Sequence, residues 1–111
     1  MSNTQLVRIC ATTDVPDASG RSFVIGNRHI AVFNNGGTFY VTSDLCSHEH
    51  EHLSDGWLDE DKIECPRHGA QFDLVTGEAL SLPAMDPIEV FAAKIENGDV
   101  WAEIPLGEDQ L

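Results

Sequence analysis

Hydrophobic and polar positions alternate over short stretches of this chain, and no segment of useful length repeats with the helical period. Leu6-Val7-Arg8-Ile9-Cys10-Ala11 is short, apolar and β-branched, and predicts a first strand. Pro16 then fixes a turn within Thr13–Asp17, where Asp14-Val15-Pro16 begins at most a single helical turn. Phe23–Ile25 and Arg28–Phe33 predict a hairpin around Gly26-Asn27. Asn34-Asn35-Gly36-Gly37 is a turn signal before a strand over Thr38–Thr42. From Ser43 the pattern changes to loops with short strands. Leu53–Leu58 contains a turn, Lys62–Glu64 is a short strand, and Gln71–Leu74 is another, closed by Thr76-Gly77. Ile88–Glu96 predicts one long strand, Asn97-Gly98 a tight hairpin turn, and Asp99–Ile104 its partner, with a polar tail from Pro105. The expectation is an all-β, antiparallel single domain over 1–111, with a small loop-rich subdomain at about 44–82 set into a larger sheet.

That loop-rich stretch carries the chemistry. It contains Cys46-Ser47-His48 and, after a gap of sixteen residues, Cys65-Pro66-Arg67-His68. Two pairs, each one thiolate and one imidazole, point to a metal centre. Soft thiolate selects zinc, copper(I) or iron–sulfur iron, and imidazole suits zinc or iron. A zinc finger or ribbon brings its ligands as Cys-x(2–4)-Cys and His-x(3–5)-His, whereas both pairs here are mixed. Four ligands on a single zinc ion stay possible on the residues alone.

Cys-x-His, sixteen residues, then Cys-x-x-His resembles the Rieske iron–sulfur motif. Pro66, Gly69, Asp73 and Thr76-Gly77 continue the pattern of that family's second loop, and Pro83 matches its proline loop over the cluster. The resemblance implies a Rieske-like antiparallel β-sandwich or barrel with a cluster-binding subdomain, and one [2Fe-2S] cluster per chain. Cys46 and Cys65 would hold the inner iron, and His48 and His68 the outer one, near the surface at the loop tips.

Replacing two thiolates by neutral imidazoles makes the cluster two charges less negative and raises its potential. High-potential respiratory members resemble Cys-Thr-His-Leu-Gly-Cys and Cys-Pro-Cys-His-Gly-Ser-x-Tyr, whose extra cysteines form a disulfide. Glu51 and Arg67 stand at those two positions here, so that bridge cannot form. Ala70 and Phe72 stand where Ser and Tyr would donate hydrogen bonds to sulfur. With those donors missing and the chain acidic, the expected potential lies near the low end of the Rieske range, about −150 mV. The pattern resembles soluble Rieske ferredoxins of bacterial aromatic-ring dioxygenases.

Charge and length narrow the function further. The chain has 111 residues, 41% of them apolar, and a formal charge of −13. Such acidity excludes nucleic acid and favours basic partner surfaces. Eight acids fall between Asp44 and Glu64, beside the proposed ligands, which points to a docking role. No membrane span or signal peptide is visible, so the expected location is cytoplasmic, where the cysteines stay reduced. No hydrolytic constellation, phosphate-cradling loop or mononuclear iron domain stands out, so the chain is expected to carry electrons without transforming a substrate.

The resemblance implies a monomer that shuttles one electron from an NAD(P)H-dependent flavoprotein reductase to a terminal Rieske oxygenase. The alternatives are a small subunit of an assimilatory nitrite reductase and a zinc-stabilised interaction module. His50 and His52 do not fit the ligand pairing and belong to a solvated loop. His29 lies in a strand far from the motif. Cys10 reads as a small buried hydrophobe, and Trp57 and Trp101 as packing residues.

Overall fold

The computed structural model describes residues 4–26, 28–44, 52–66, 69–81 and 86–105. The strands are β1 Thr4–Ala11, β2 Ser19–Ile25, β3 Arg28–Asn35, β4 Thr38–Ser43, β5 Trp57–Asp59, β6 Lys62–Glu64, β7 Gln71–Asp73, β8 Val90–Phe91, β9 Ala93–Glu96 and β10 Asp99–Pro105. Two single 3₁₀ turns, Thr12–Asp14 and Leu53–Asp55, are the helical pieces among the described residues. The all-β expectation holds. The strands form three antiparallel sheets in the orders β1-β10-β9, β2-β3-β4-β8 and β5-β6-β7.

β3 belongs to two cores at once. Its run Ile30-Ala31-Val32-Phe33-Asn34 is buried without interruption. Ile30 and Val32 pack with Ile9, Val41, Val100 and Ile104, between the β1-β10-β9 and β2-β3-β4-β8 sheets. Ala31 and Phe33 pack on the opposite side, with Leu53, Ile63, Cys65 and Phe72. Successive side chains of a strand point to opposite faces, so apolar residues at every position are the signature of a strand covered on both sides.

The ends of this frame show how local chemistry sets the elements. β1 carries a bulge between Arg8 and Cys10, which turns the consecutive Ile9 and Cys10 both inward. Burial pushes the Cys10 thiol up to about 11, so it stays protonated and inert, as its apolar context predicts. Asn97 and Gly98 both take positive φ, 53° and 78°, which gives the β9–β10 hairpin the twist of its strands.

Three sequence expectations need correction. Trp57-Leu58-Asp59 is a strand, not only the tail of a turn. Ile88–Glu96 is not one strand: β8 pairs with β4 in one sheet, and β9 with β10 in another. Ile88 enters the Phe33 core and Phe91 the Val32 core, so the chain must cross between layers there. Pro105 extends β10 opposite Thr4, and its carbonyl accepts from Arg28 Nε at 2.9 Å. The residues beyond it, 106–111, lie outside the described residues.

The packing predicts that Phe33→Ala destabilises the protein by about 3–5 kcal/mol, the usual cost of removing a buried aromatic ring. Urea unfolding followed by tryptophan fluorescence measures it. Phe33 touches the Ile63 and Phe72 side, so amide exchange should rise in β6 and β7 before it rises in β10.

Candidate metal centre

Cys65 follows β6 directly and is almost wholly buried. Its amide donates to the Ala70 carbonyl at 2.7 Å, which continues the β6–β7 ladder one step past Glu64 and Gln71. The Gly69 amide donates back to the Cys65 carbonyl at 3.1 Å. Cys65 and Ala70 are therefore the closing pair of the β6–β7 hairpin. Gly69 sits in it at φ +71°, a left-handed conformation that costs any residue with a Cβ. Among the described residues a Cβ there would meet only Glu64 Oε2, at 4.0 Å, so the left-handed backbone is what calls for glycine.

The first motif leaves from the end of β4. Asp44 is fully buried, and its carbonyl accepts from the Leu53 amide at 2.6 Å. Leu53 then enters the same core as Cys65 and Ala70. The base of the first loop and the base of the second hairpin thus stand on one apolar cluster. A third loop leaves from beside them. Leu80 N donates to the Gln71 carbonyl at 2.7 Å, and Gln71 N donates to Ser81 Oγ at 3.0 Å. Cys46, His48, His68 and Pro83, with His50, Glu49, Glu51 and Arg67, lie outside the described residues.

The donor chemistry at the described position fits an iron–sulfur group. Cys65 offers a soft sulfur, shielded from water at the edge of a core of Ala70, Phe72 and Leu74, none of which carries a hydroxyl or charge. The hairpin is braced on its far side as well. Asp73 Oδ1 accepts from the Val75 amide at 2.7 Å and the Thr76 amide at 3.2 Å, closing the turn predicted at Thr76-Gly77.

Three side chains differ from their sequence reading. Asp44, counted among the docking acids, is turned inward. His52 is not a loosely solvated loop residue, because its Nδ1 lies 2.7 Å from Asp44 Oδ2. His29 is not far from the motif: its ring meets that of His52 edge-on, at 5.7 Å between centroids. Of the other described acids in this stretch, Glu64 directly precedes Cys65 and accepts from Gln71 Nε2 at 3.3 Å, Asp55 is exposed, and Asp59 and Glu60 are exposed at the β5–β6 turn, at the opposite end of β6 from Cys65. Trp57 is exposed beside them, whereas Trp101 lies half-buried in β10.

The model of the Rieske [2Fe-2S] domain matches residues 5–92. The chain belongs to the Rieske [2Fe-2S] domain family. A Rieske-type [2Fe-2S] cluster is therefore its cofactor, in place of a single zinc ion. This Rieske chain is 43% identical over 98 residues to the 3-phenylpropionate/cinnamic acid dioxygenase ferredoxin subunit of Escherichia coli (strain K12), covering 86% of its own length and 91% of the relative's. Among solved structures it is similar to the Sphingomonas yanoikuyae B1 ferredoxin, with a TM-score of 0.84, 35% identity, and coverage of 91% of this chain and 100% of that one. It is also similar to a chain in the complex of reduced oxygenase and oxidized ferredoxin in carbazole 1,9a-dioxygenase. There the TM-score is 0.80 and the identity 36%, covering 88% of this chain and 92% of that one.

The Gly69 conformation gives a direct test of the Rieske hairpin. Gly69→Ala should destabilise it by about 1–2 kcal/mol. Gly69→Asn should cost less, because asparagine tolerates the left-handed region. Visible absorbance of the cluster during urea titration ranks the three proteins.

Proposed function

We propose that this chain is the one-electron ferredoxin component of a bacterial aromatic-ring dioxygenase system, working as a cytoplasmic monomer. It takes electrons from an NAD(P)H-dependent flavoprotein reductase and gives them to a terminal Rieske oxygenase. The observation that carries this is the 43% identity to a dioxygenase ferredoxin subunit over 91% of that subunit's length. Among the described residues, no helix is long and apolar enough to cross a membrane, which agrees with a freely diffusing carrier. A transient carrier fits these relatives better than a fixed nitrite reductase subunit does.

In this reading Cys46 and Cys65 hold one iron and His48 and His68 the other, with residues at about 44–82 acting as the cluster-holding subdomain. When bound, the cluster accepts and releases one electron. The chain's own residues set the terms. Leu53, Ala70, Phe72 and Leu74 keep water from the Cys65 side. Ala70 and Phe72 supply no hydroxyl that would stabilise added negative charge. The net charge of −13, with Asp55, Asp59 and Glu60 exposed, raises the cost of reduction further and steers a basic partner.

The chemistry predicts a midpoint potential near about −150 mV. A redox titration giving a value well above zero would contradict the potential argument. Reconstitution with a flavoprotein reductase and an aromatic-ring oxygenase should give NAD(P)H- and substrate-dependent oxygen uptake that falls steeply with salt. Cys65→Ser should abolish both that uptake and the Rieske EPR signal of the reduced protein. Uptake that does not require the chain rejects the carrier role.

A further inference from the structure

The first loop, 45–51, lies between two points that a single residue ties together. The Asp44 amide donates to the His29 carbonyl at 2.9 Å, which anchors the loop's start to β3. The Asp44 carbonyl accepts from Leu53, and its Oδ1 from the Ser54 amide at 2.8 Å, which anchors the loop's end. Oδ2 faces His52 Nδ1, and a carboxylate can only accept, so the proton sits on Nδ1. The His29 ring backs the His52 imidazole edge-on. A buried carboxylate is costly unless its oxygens are paired, and here both are.

We propose that Asp44 is a positioning residue for the cluster: it clasps the start and end of the first ligand loop. The clasp fixes Asp44 and residues 52–54, the two flanks of the segment that carries Cys46 and His48, with His52 holding the carboxylate in place. This rests on the reading above that Cys46 and His48 are ligands. A loop held at both ends meets the cluster already ordered. A loosened one must be ordered by cluster binding itself, so that loss of the clasp shows as weaker retention. Asn34 supplies the contrast. It is also a buried polar residue, and its Nδ2 donates to the Val15 carbonyl at 2.8 Å, but that bond joins neither end of the loop.

The test compares holo-protein of wild type, Asp44→Ala, His52→Ala and Asn34→Ala. Cluster release to excess chelator is followed by visible absorbance, and each reduced protein is examined by EPR. Asp44→Ala should release its cluster at least about tenfold faster, in line with the loss of an outer partner of a metal ligand set. Its EPR lines should broaden and shift as the ligand geometry relaxes. His52→Ala, which keeps Asp44 and trims a half-exposed ring, should release several-fold faster. Asn34→Ala should lower the melting temperature yet keep the wild-type release rate and line shape. If Asp44→Ala yields no folded protein, His52→Ala decides: release within twofold of wild type overturns the clasp. Asp44→Ala matching wild type, or Asn34→Ala matching Asp44→Ala, overturns it too. A wild-type protein without the Rieske signal, or Cys46→Ser that retains it, overturns the ligand reading instead.

Discussion

Everything in this molecule hangs on one strand that is covered on both faces. Ile30 and Val32 of β3 complete one core, and Ala31 and Phe33 complete the other. With apolar residues on either side, inside-outside patterning cannot hold the register of such a strand. Size and hydrogen bonding do so instead. Gly20 stands opposite Phe33, and a Cβ there would lie 2.7 Å from the Phe33 ring. Asn34 reaches across to the Val15 carbonyl. A slip by one residue would push a branched side chain against β2 and strand a buried amide, and both carry a cost in a close-packed interior.

The same strand reaches the metal centre by contact rather than by sequence. The position of a Gly20 Cβ is also 3.3 Å from the Ser54 carbonyl, so β2, Phe33 and the end of the first loop meet at one point. Ser54 gives its amide to Asp44, and Leu53 packs with Cys65. A rigid, apolar support of this kind suits a centre whose ligands must keep their geometry while the charge on the metal changes.

Legibility in the sequence followed the range of the interaction. β6 was read at its observed bounds, and the turn at Gly36-Gly37 and the hairpin at Asn97-Gly98 were also visible, because local turn chemistry sets them. The cofactor was legible for a similar reason, because the Cys–His spacing that resembles the Rieske motif is local. The break at Ala92 was not, because Ile88 and Phe91 diverge only when two separate cores exist to receive them. Pro105 opens a polar tail in the sequence, and proline lacks the N–H that a strand interior uses. β9 pairs β10 only over Asp99–Ala102, so the far end of β10 has an open edge where that lack is tolerated. Asp44, His52 and His29 were each visible as residues, but their association depends on β3 lying beside the loop. An acid placed just past the end of β4, two residues after the buried Thr42, was the available hint.

The acids of this chain divide into two physical roles that a net charge of −13 hides. Asp55, Asp59 and Glu60 face water, so their fields are screened within about 8 Å at physiological salt and act chiefly on the rate of encounter with a partner. Asp44 is removed from water, so salt reaches it weakly, and its charge is matched by named donors instead of counterions. A change of ionic strength therefore separates the two roles. It alters how fast partners meet the ferredoxin while leaving intact the internal contact that ties the ends of the first loop together.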